Sequence, residues 1–134
     1  MPIQDVTPGC TPIHGRAVDA VVVLLTSERL MSLGVNRPDG WPQVTTLSYV
    51  NEGLNLYFVT ARDSQKLANI QADPRVSAAI RSESAADGAV GLSLAGRAEE
   101  VTVAEDIEHL NQLVFSRYPG LSVYCPSGDS VALI

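Results

Sequence analysis

Residues 57–75 read Tyr57-Phe58-Val59-Thr60-Ala61-Arg62-Asp63-Ser64-Gln65-Lys66-Leu67-Ala68-Asn69-Ile70-Gln71-Ala72-Asp73-Pro74-Arg75. The stretch begins as a strand end, crosses a short polar loop and enters one short helix over 64–71. Asp73-Pro74-Arg75 stops that helix, because proline disfavours helical geometry before it and cannot donate to the ladder. Ser64 is a good N-cap. Lys66 in the first turn faces the positive end of the helix dipole, where a cation is disfavoured. Such a residue is at home on any solvated helix, but here it stands beside Thr60, Ser64 and the free N–H groups of a helix start. Hydroxyls, free N–H groups and a cation at a helix N-terminus make an anion site, and phosphate is the usual anion.

The sequence before this stretch predicts a meander of three antiparallel strands. Leu30–Asn36 is a short apolar strand, and Arg37-Pro38-Asp39-Gly40 is a turn in which Pro and Gly meet opposite φ requirements. Gln43–Val50 alternates, with Val44, Thr46 and Ser48 on one face and Thr45, Leu47 and Tyr49 on the other. Asn51-Glu52-Gly53 forms a hairpin loop before the strand Leu54–Thr60. Farther upstream, 17–28 fits either strand or helix; its unbroken length without Gly or Pro favours a buried helix. Residues 1–16, rich in Pro and Gly, form an extended arm.

Downstream, Val76–Ile80 is a strand and 82–89 a small polar loop. Val90–Val101 is a long strand in which Gly91 and Gly96 suggest a bulge or a close backbone approach. Thr102 and Glu105 have the spacing of a capping box. The helix they open carries Ile107, Leu110, Leu113 and Val114 on one stripe and runs to Arg117, before Tyr118-Pro119-Gly120. Val131–Ile134 begins another strand. Short strands with helices at intervals predict a mainly β, α+β domain: a small barrel or antiparallel sheet with peripheral helices.

The 134 residues make a single domain, and a net charge of −6 argues against nucleic acid or an anionic membrane as partner. No apolar run approaches a membrane span, and the start of the chain lacks the pattern of a signal peptide. Cys10 and Cys125 stand far apart outside any CxxC pattern, which suits two cytoplasmic thiols. No cluster of His, Cys and Asp has metal-ligand spacing, so no metal is expected. No nucleophile–base–acid triad can be assembled. His109 lies off the apolar stripe of its helix and is expected at the surface. Trp41, just after the turn, suits packing at a subunit interface.

The strings Leu33-Gly34-Val35-Asn36-Arg37-Pro38-Asp39-Gly40-Trp41-Pro42-Gln43-Val44-Thr45, Leu56-Tyr57-Phe58-Val59-Thr60 and Ser64-Gln65-Lys66-Leu67-Ala68-Asn69-Ile70, followed by Asp73-Pro74-Arg75-Val76, resemble the pyridoxamine 5′-phosphate oxidase-like family of FMN-binding split barrels. The resemblance implies a six-stranded antiparallel split β-barrel with peripheral helices and a homodimer with the cofactor between subunits. It implies that Val44, Thr45, Thr46 and Leu47 line the flavin ring and ribityl chain. It also implies that Thr60, with Ser64, Gln65 and Lys66 of the S-x-K element, holds the phosphate. Arg62 and Arg75 are candidates for further positive charge there. Oxidases of pyridoxamine phosphate carry Arg where this chain has Val44 and Lys where it has Tyr49, together with an Arg/His segment near the C-terminus. The implied function is therefore an FMN-dependent oxidoreductase of another substrate. The alternatives are a deazaflavin-dependent reductase of the same fold and a non-catalytic flavin- or heme-binding module with a stress-related role.

Overall fold

A computed structural model describes residues 13–82, 90–119 and 131–134. Three helices and eight strand segments follow in the order α1 (Arg16–Ser27), β1 (Leu30–Asn36), β2 (Pro42–Ser48), β3 (Val50–Glu52), β4 (Asn55–Tyr57), β5 (Val59–Ala61), α2 (Gln65–Ala72), β6 (Arg75–Ser82), β7 (Val90–Arg97), α3 (Ala104–Arg117) and β8 (Val131–Leu133). All pairings are antiparallel. One sheet runs β2-β1-β6-β7, and two smaller ones pair β3 with β4 and β5 with β8. Residues 1–12 of the expected arm, the loop 83–89, Cys10 and Cys125 lie outside the described residues, while Gly15 and Arg16 begin α1 rather than belonging to an arm.

The eight segments amount to six strands, two of them interrupted by a single residue. Tyr49 separates β2 from β3. Its N–H donates to Arg29 O at 3.2 Å, its phenol donates to Leu25 O at 2.7 Å, and its ring is buried. Phe58 separates β4 from β5 and exchanges both backbone hydrogen bonds with Ile134, at 3.0 and 2.9 Å. At each interruption the strand changes neighbour: from β1 to β4 across Tyr49, and from β3 to β8 across Phe58. The expected meander is therefore present but bent, and its strands Gln43–Val50 and Leu54–Thr60 are each two pieces. The second hairpin turns on Gly53-Leu54, with β3 extending through Glu52. Gly53 takes φ +59 at the first central position, where a two-residue hairpin needs a residue free of Cβ strain.

The core collects the inward faces of these strands. Met31, Leu33 and Val35 from β1, Ala78 and Ile80 from β6, Phe58, and Leu67 and Ile70 from α2 are all buried. The alternation read for β2 holds: Val44, Thr46 and Ser48 are exposed, and Gln43, Thr45 and Leu47 face inward. The helix reading of 17–28 also holds, with Leu25 buried and Val21 and Leu24 packed against the core.

Two boundaries differ from expectation. The long strand ends at Arg97, where the chain leaves β7 and Ala98 N–H donates to Pro74 O at 2.8 Å. α3 then starts at Ala104 with Val103 as N-cap and no side-chain cap, so Thr102 and Glu105 form no capping box. Thr102 sits one residue too early to reach the helix N–H groups. Glu105 and Asp106 still favour the positive end of the dipole from the first turn.

The C-terminus of α1 has no basic residue of its own in the last turn. Arg117, at the far end of α3, supplies the missing charge. Its guanidinium donates to Leu25 O at 2.7 Å, Thr26 O at 2.9 Å, Glu28 O and Asn51 Oδ1 at 2.6 Å. It also lies 5.3 Å from the Tyr49 ring centroid, within cation–π range. The Tyr118 phenol donates to Tyr49 O at 2.7 Å and to Arg29 O at 3.1 Å. Burial pushes both the Tyr49 and Tyr118 phenols above the ordinary tyrosine range, so both remain donors at neutral pH. On the surface, exposed His109 binds Glu52 at 2.5 Å, giving α3 a second tie to β3.

Arg117→Met keeps most of the side-chain volume and removes the donors. It is expected to lower unfolding stability by about 2–4 kcal/mol, because several partly buried acceptors lose a charged partner together. Urea denaturation checks this, and a loss below about 1 kcal/mol would show that the junction is held by packing alone.

Candidate anion and cofactor site

The candidate anion site begins at β5 (Val59–Ala61), which sets Thr60. Thr60 pairs in register with Ala132 of β8 and is only 8% exposed. Ala61 O accepts the Ser64 N–H at 3.1 Å, and α2 begins at the next residue, Gln65. Ser64 is the N-cap, as expected, and its Oγ accepts the Leu67 N–H at 3.1 Å. The same Oγ lies 2.9 Å from Thr60 Oγ1. Two hydroxyls carry two hydrogens, and their mutual bond uses one. Whichever of them donates, one O–H remains for another acceptor. Among the described residues nothing accepts the N–H of Gln65 or of Lys66, as is usual for the first turn of a helix. One hydroxyl hydrogen and two backbone N–H groups are thus available at the positive end of α2.

Lys66 is half-buried, and burial lowers its pKa below the ordinary lysine range. No carboxylate among the described residues pairs with it. The other cations are committed. Arg62 pairs with Glu100 at 2.5 Å, and Arg75 grips Asp73 through Nε and a terminal nitrogen at 2.9 and 2.7 Å. Arg37 pairs with Asp39 inside its own turn. Arg62 and Arg75, expected to add positive charge to the anion site, are thus each paired with a neighbouring carboxylate.

The strand β2 lies at the edge of its sheet, so among the described residues one side of its backbone has no ladder partner. An edge strand can offer N–H and C=O groups to a planar ligand that brings its own. Val44 and Thr46 stand exposed on its outer face, Val44 at 65%, while Thr45 and Leu47 turn toward the core. Thr45 Oγ1 is buried with no hydrogen-bond partner. The strand and the helix start meet at a cavity of about 380 Å³ lined by Arg37, Pro38, Asp39, Gln43 and Gln65. The structure thereby brings Gln65, beside Ser64 and Lys66, to the same cavity as the first inward residue of β2. Among the described residues, the hydroxyl and N–H donors and Lys66 fit a phosphate, and the edge of β2 fits a planar ring.

The sequence reading did not single out Gln43 or Asn69. Asn69 is wholly buried; it accepts from Gln65 Nε2 at 2.8 Å and donates to Gln43 Oε1 at 3.1 Å. The four-residue spacing of Gln65 and Asn69 was a readable signal, since such pairs bond along a helix. The link to Gln43 required the fold. Tyr49, aligned with a lysine of the oxidases, proves to be a core residue at 1% exposure. Trp41 is 72% exposed on this chain and packs against none of its core. Among the described residues no three His, Cys, Asp or Glu side chains gather as for a metal ion.

A comparison with curated proteins finds no match. Solved structures do match. A conserved hypothetical protein from Mycobacterium tuberculosis is 26% identical, with a TM-score of 0.71 over 91% of this chain and 80% of its own. An FAD-binding protein from Mesorhizobium loti is 19% identical, with a TM-score of 0.69 over 87% of this chain and 83% of its own. An F420 reductase is 24% identical, with a TM-score of 0.63 over 83% of this chain and 88% of its own. The last two share the fold. The sequence profile of the pyridoxamine 5′-phosphate oxidase family matches residues 17–129. With six antiparallel strands split into three sheets and a profile match over most of its length, the chain belongs to the pyridoxamine 5′-phosphate oxidase family of split barrels.

Proposed function

We propose that this protein binds FMN and is a cytoplasmic flavin-dependent oxidoreductase acting on a substrate other than pyridoxamine phosphate. The observation that supports it most is the start of α2: one spare hydroxyl hydrogen, two free N–H groups and the unpaired Lys66 belong to its cap and first turn, and Asn69 of the same helix bonds Gln43 of the edge strand β2. Thr60, Ser64, Gln65 and Lys66 would hold the phosphate, and Val44, Thr45, Thr46 and Leu47 would flank the ring. The flavin, when bound, supplies the electron transfer, and the protein positions it.

The charge pattern favours a cofactor with one phosphate. A deazaflavin with a longer anionic tail calls for further cations, and Arg37, Arg62 and Arg75 are each paired with a carboxylate. Val44 is apolar, and Tyr49 is sealed in the core, so neither can play the part of the oxidase Arg or Lys. The outer face of the sheet β2-β1-β6-β7 carries small exposed residues, among them Ser77, Ala79, Ser93 and Ala95, beside the exposed Val44. Such a flat face next to the cofactor strand suits a second copy of the chain, and Trp41 at its margin suits the same contact.

Titration of apoprotein with FMN, followed by quenching of flavin fluorescence, tests this reading. Lys66→Ala combined with Ser64→Ala is expected to weaken FMN at least about tenfold, since charge-assisted bonds to phosphate are lost. Unchanged affinity would sink the site assignment, and a Soret band on the purified protein would favour heme instead.

The pH dependence follows from Lys66. Burial lowers its pKa, so the ammonium is fully charged only below that value and loses its proton as pH rises through it. FMN affinity is therefore expected to fall with rising pH before the ordinary lysine range is reached. A Lys66→Met variant should flatten that part of the profile, and an equally steep profile in the variant would assign it to another group.

A further inference from the structure

Asn69 is a polar side chain with no exposed surface. Burying an amide is costly unless its hydrogen bonds are replaced. Both of its bonds go to residues that line the same cavity, Gln65 from its own helix and Gln43 from β2. Its neighbours on the buried face of α2 are Leu67 and Ile70, so an apolar side chain would match its surroundings.

The three amides form a head-to-tail chain. Each amide has one donor end and one acceptor end. Asn69, in the middle, uses both. Each glutamine uses one and keeps the other: Gln65 gives Nε2 and keeps Oε1, and Gln43 gives Oε1 and keeps Nε2. A chain of this kind leaves opposite ends on its two terminal members in either direction, so the pair always presents one donor and one acceptor. The cavity they line bears no net charge, since its Arg37 and Asp39 are paired with each other.

We propose that Asn69 is a positioning residue. It locks Gln43 and Gln65 so that the cavity wall offers a fixed amide donor and a fixed amide acceptor to the polyol chain between flavin ring and phosphate. The proposal rests on the flavin reading above. Gln65 lies between Ser64 and Lys66, at the phosphate end, and Gln43 immediately precedes Val44–Leu47, the part of β2 assigned to the ring. A group spanning these two positions is the linker. Its hydroxyls both donate and accept, which complements one donor and one acceptor on a neutral wall.

Three flavins separate the possibilities: FMN, riboflavin without the phosphate, and lumiflavin without phosphate or polyol. Apoprotein carrying Asn69→Leu is titrated with each, alongside Gln43→Leu and Gln65→Leu, whose positions are not fully buried and whose folding is checked by thermal melts. Each variant is expected to weaken FMN and riboflavin about fivefold to tenfold and to leave lumiflavin within about twofold of wild type. Asn69→Leu with Gln43→Leu should weaken FMN little more than either alone, because they break one chain. Unchanged affinities, or equal losses for all three flavins, overturn the proposal while leaving the flavin reading intact. Wild-type protein that binds FMN with no preference over lumiflavin overturns the proposal and the phosphate site together. Wild-type protein that binds no flavin overturns the flavin reading and the proposal with it.

Discussion

Arg117 resolves a problem created where α1 ends. A helix leaves its last carbonyls without partners, and this helix has no basic residue in its last turn, while Arg29 just beyond it reaches Thr26 O only at 3.4 Å. The guanidinium of α3 meets three of those carbonyls and Asn51, and it lies over the ring of Tyr49. This places the C-terminal helix, the N-terminal helix and the break between β2 and β3 at one junction. Without that break β2 and β3 would continue as one straight strand along a single neighbour. With it, the chain turns from the four-stranded sheet to the pairing with β4, and the split barrel follows.

The same rule, that a buried polar group needs a partner, shapes the site at the other end of the molecule. Thr60 and Ser64 satisfy one another and the Leu67 N–H, yet their hydrogens outnumber their internal needs by one. Asn69 satisfies two glutamines and leaves each half-used. Lys66 is partly withdrawn from water without an internal carboxylate. The two glutamines line a cavity, whereas the terminal nitrogens of Arg117 are spent on three carbonyls and Asn51.

What could be read in the sequence was mostly local. The turn at Arg37–Gly40, the Ser64 cap, the end of α2 at Asp73-Pro74 and the alternation of β2 all depend on a few adjacent residues, and all are found. Tyr49 was legible as sharing a face with Thr45 and Leu47 but not as a break, because its partners Leu25 and Arg29 come earlier in the chain. Arg117 looked like an ordinary basic end to a helix; its role depends on where α1 stops. The Thr102–Glu105 pattern misled because a capping box needs the chain to turn into the helix at Thr102, and after leaving β7 it does so one residue later. Among the cations, Asp73 beside Arg75 was a local clue, whereas Glu100 reaches Arg62 only in the folded chain. The hydroxyls and the lysine around the start of α2 were legible in the sequence, and the amide chain was not, since Gln43 and Asn69 meet only once β2 and α2 pack.

The pairing of β5 with β8 has a consequence for how the protein is made. Thr60 is aligned by Ala132, and Phe58 is held by Ile134, so one wall of the anion site depends on residues translated long after its other members. On a ribosome, the turn, β2 and α2 emerge early and can begin to associate, while Thr60 waits for residues 131–134 to clear the exit tunnel. A nascent chain would therefore align Thr60 well after α2 has formed.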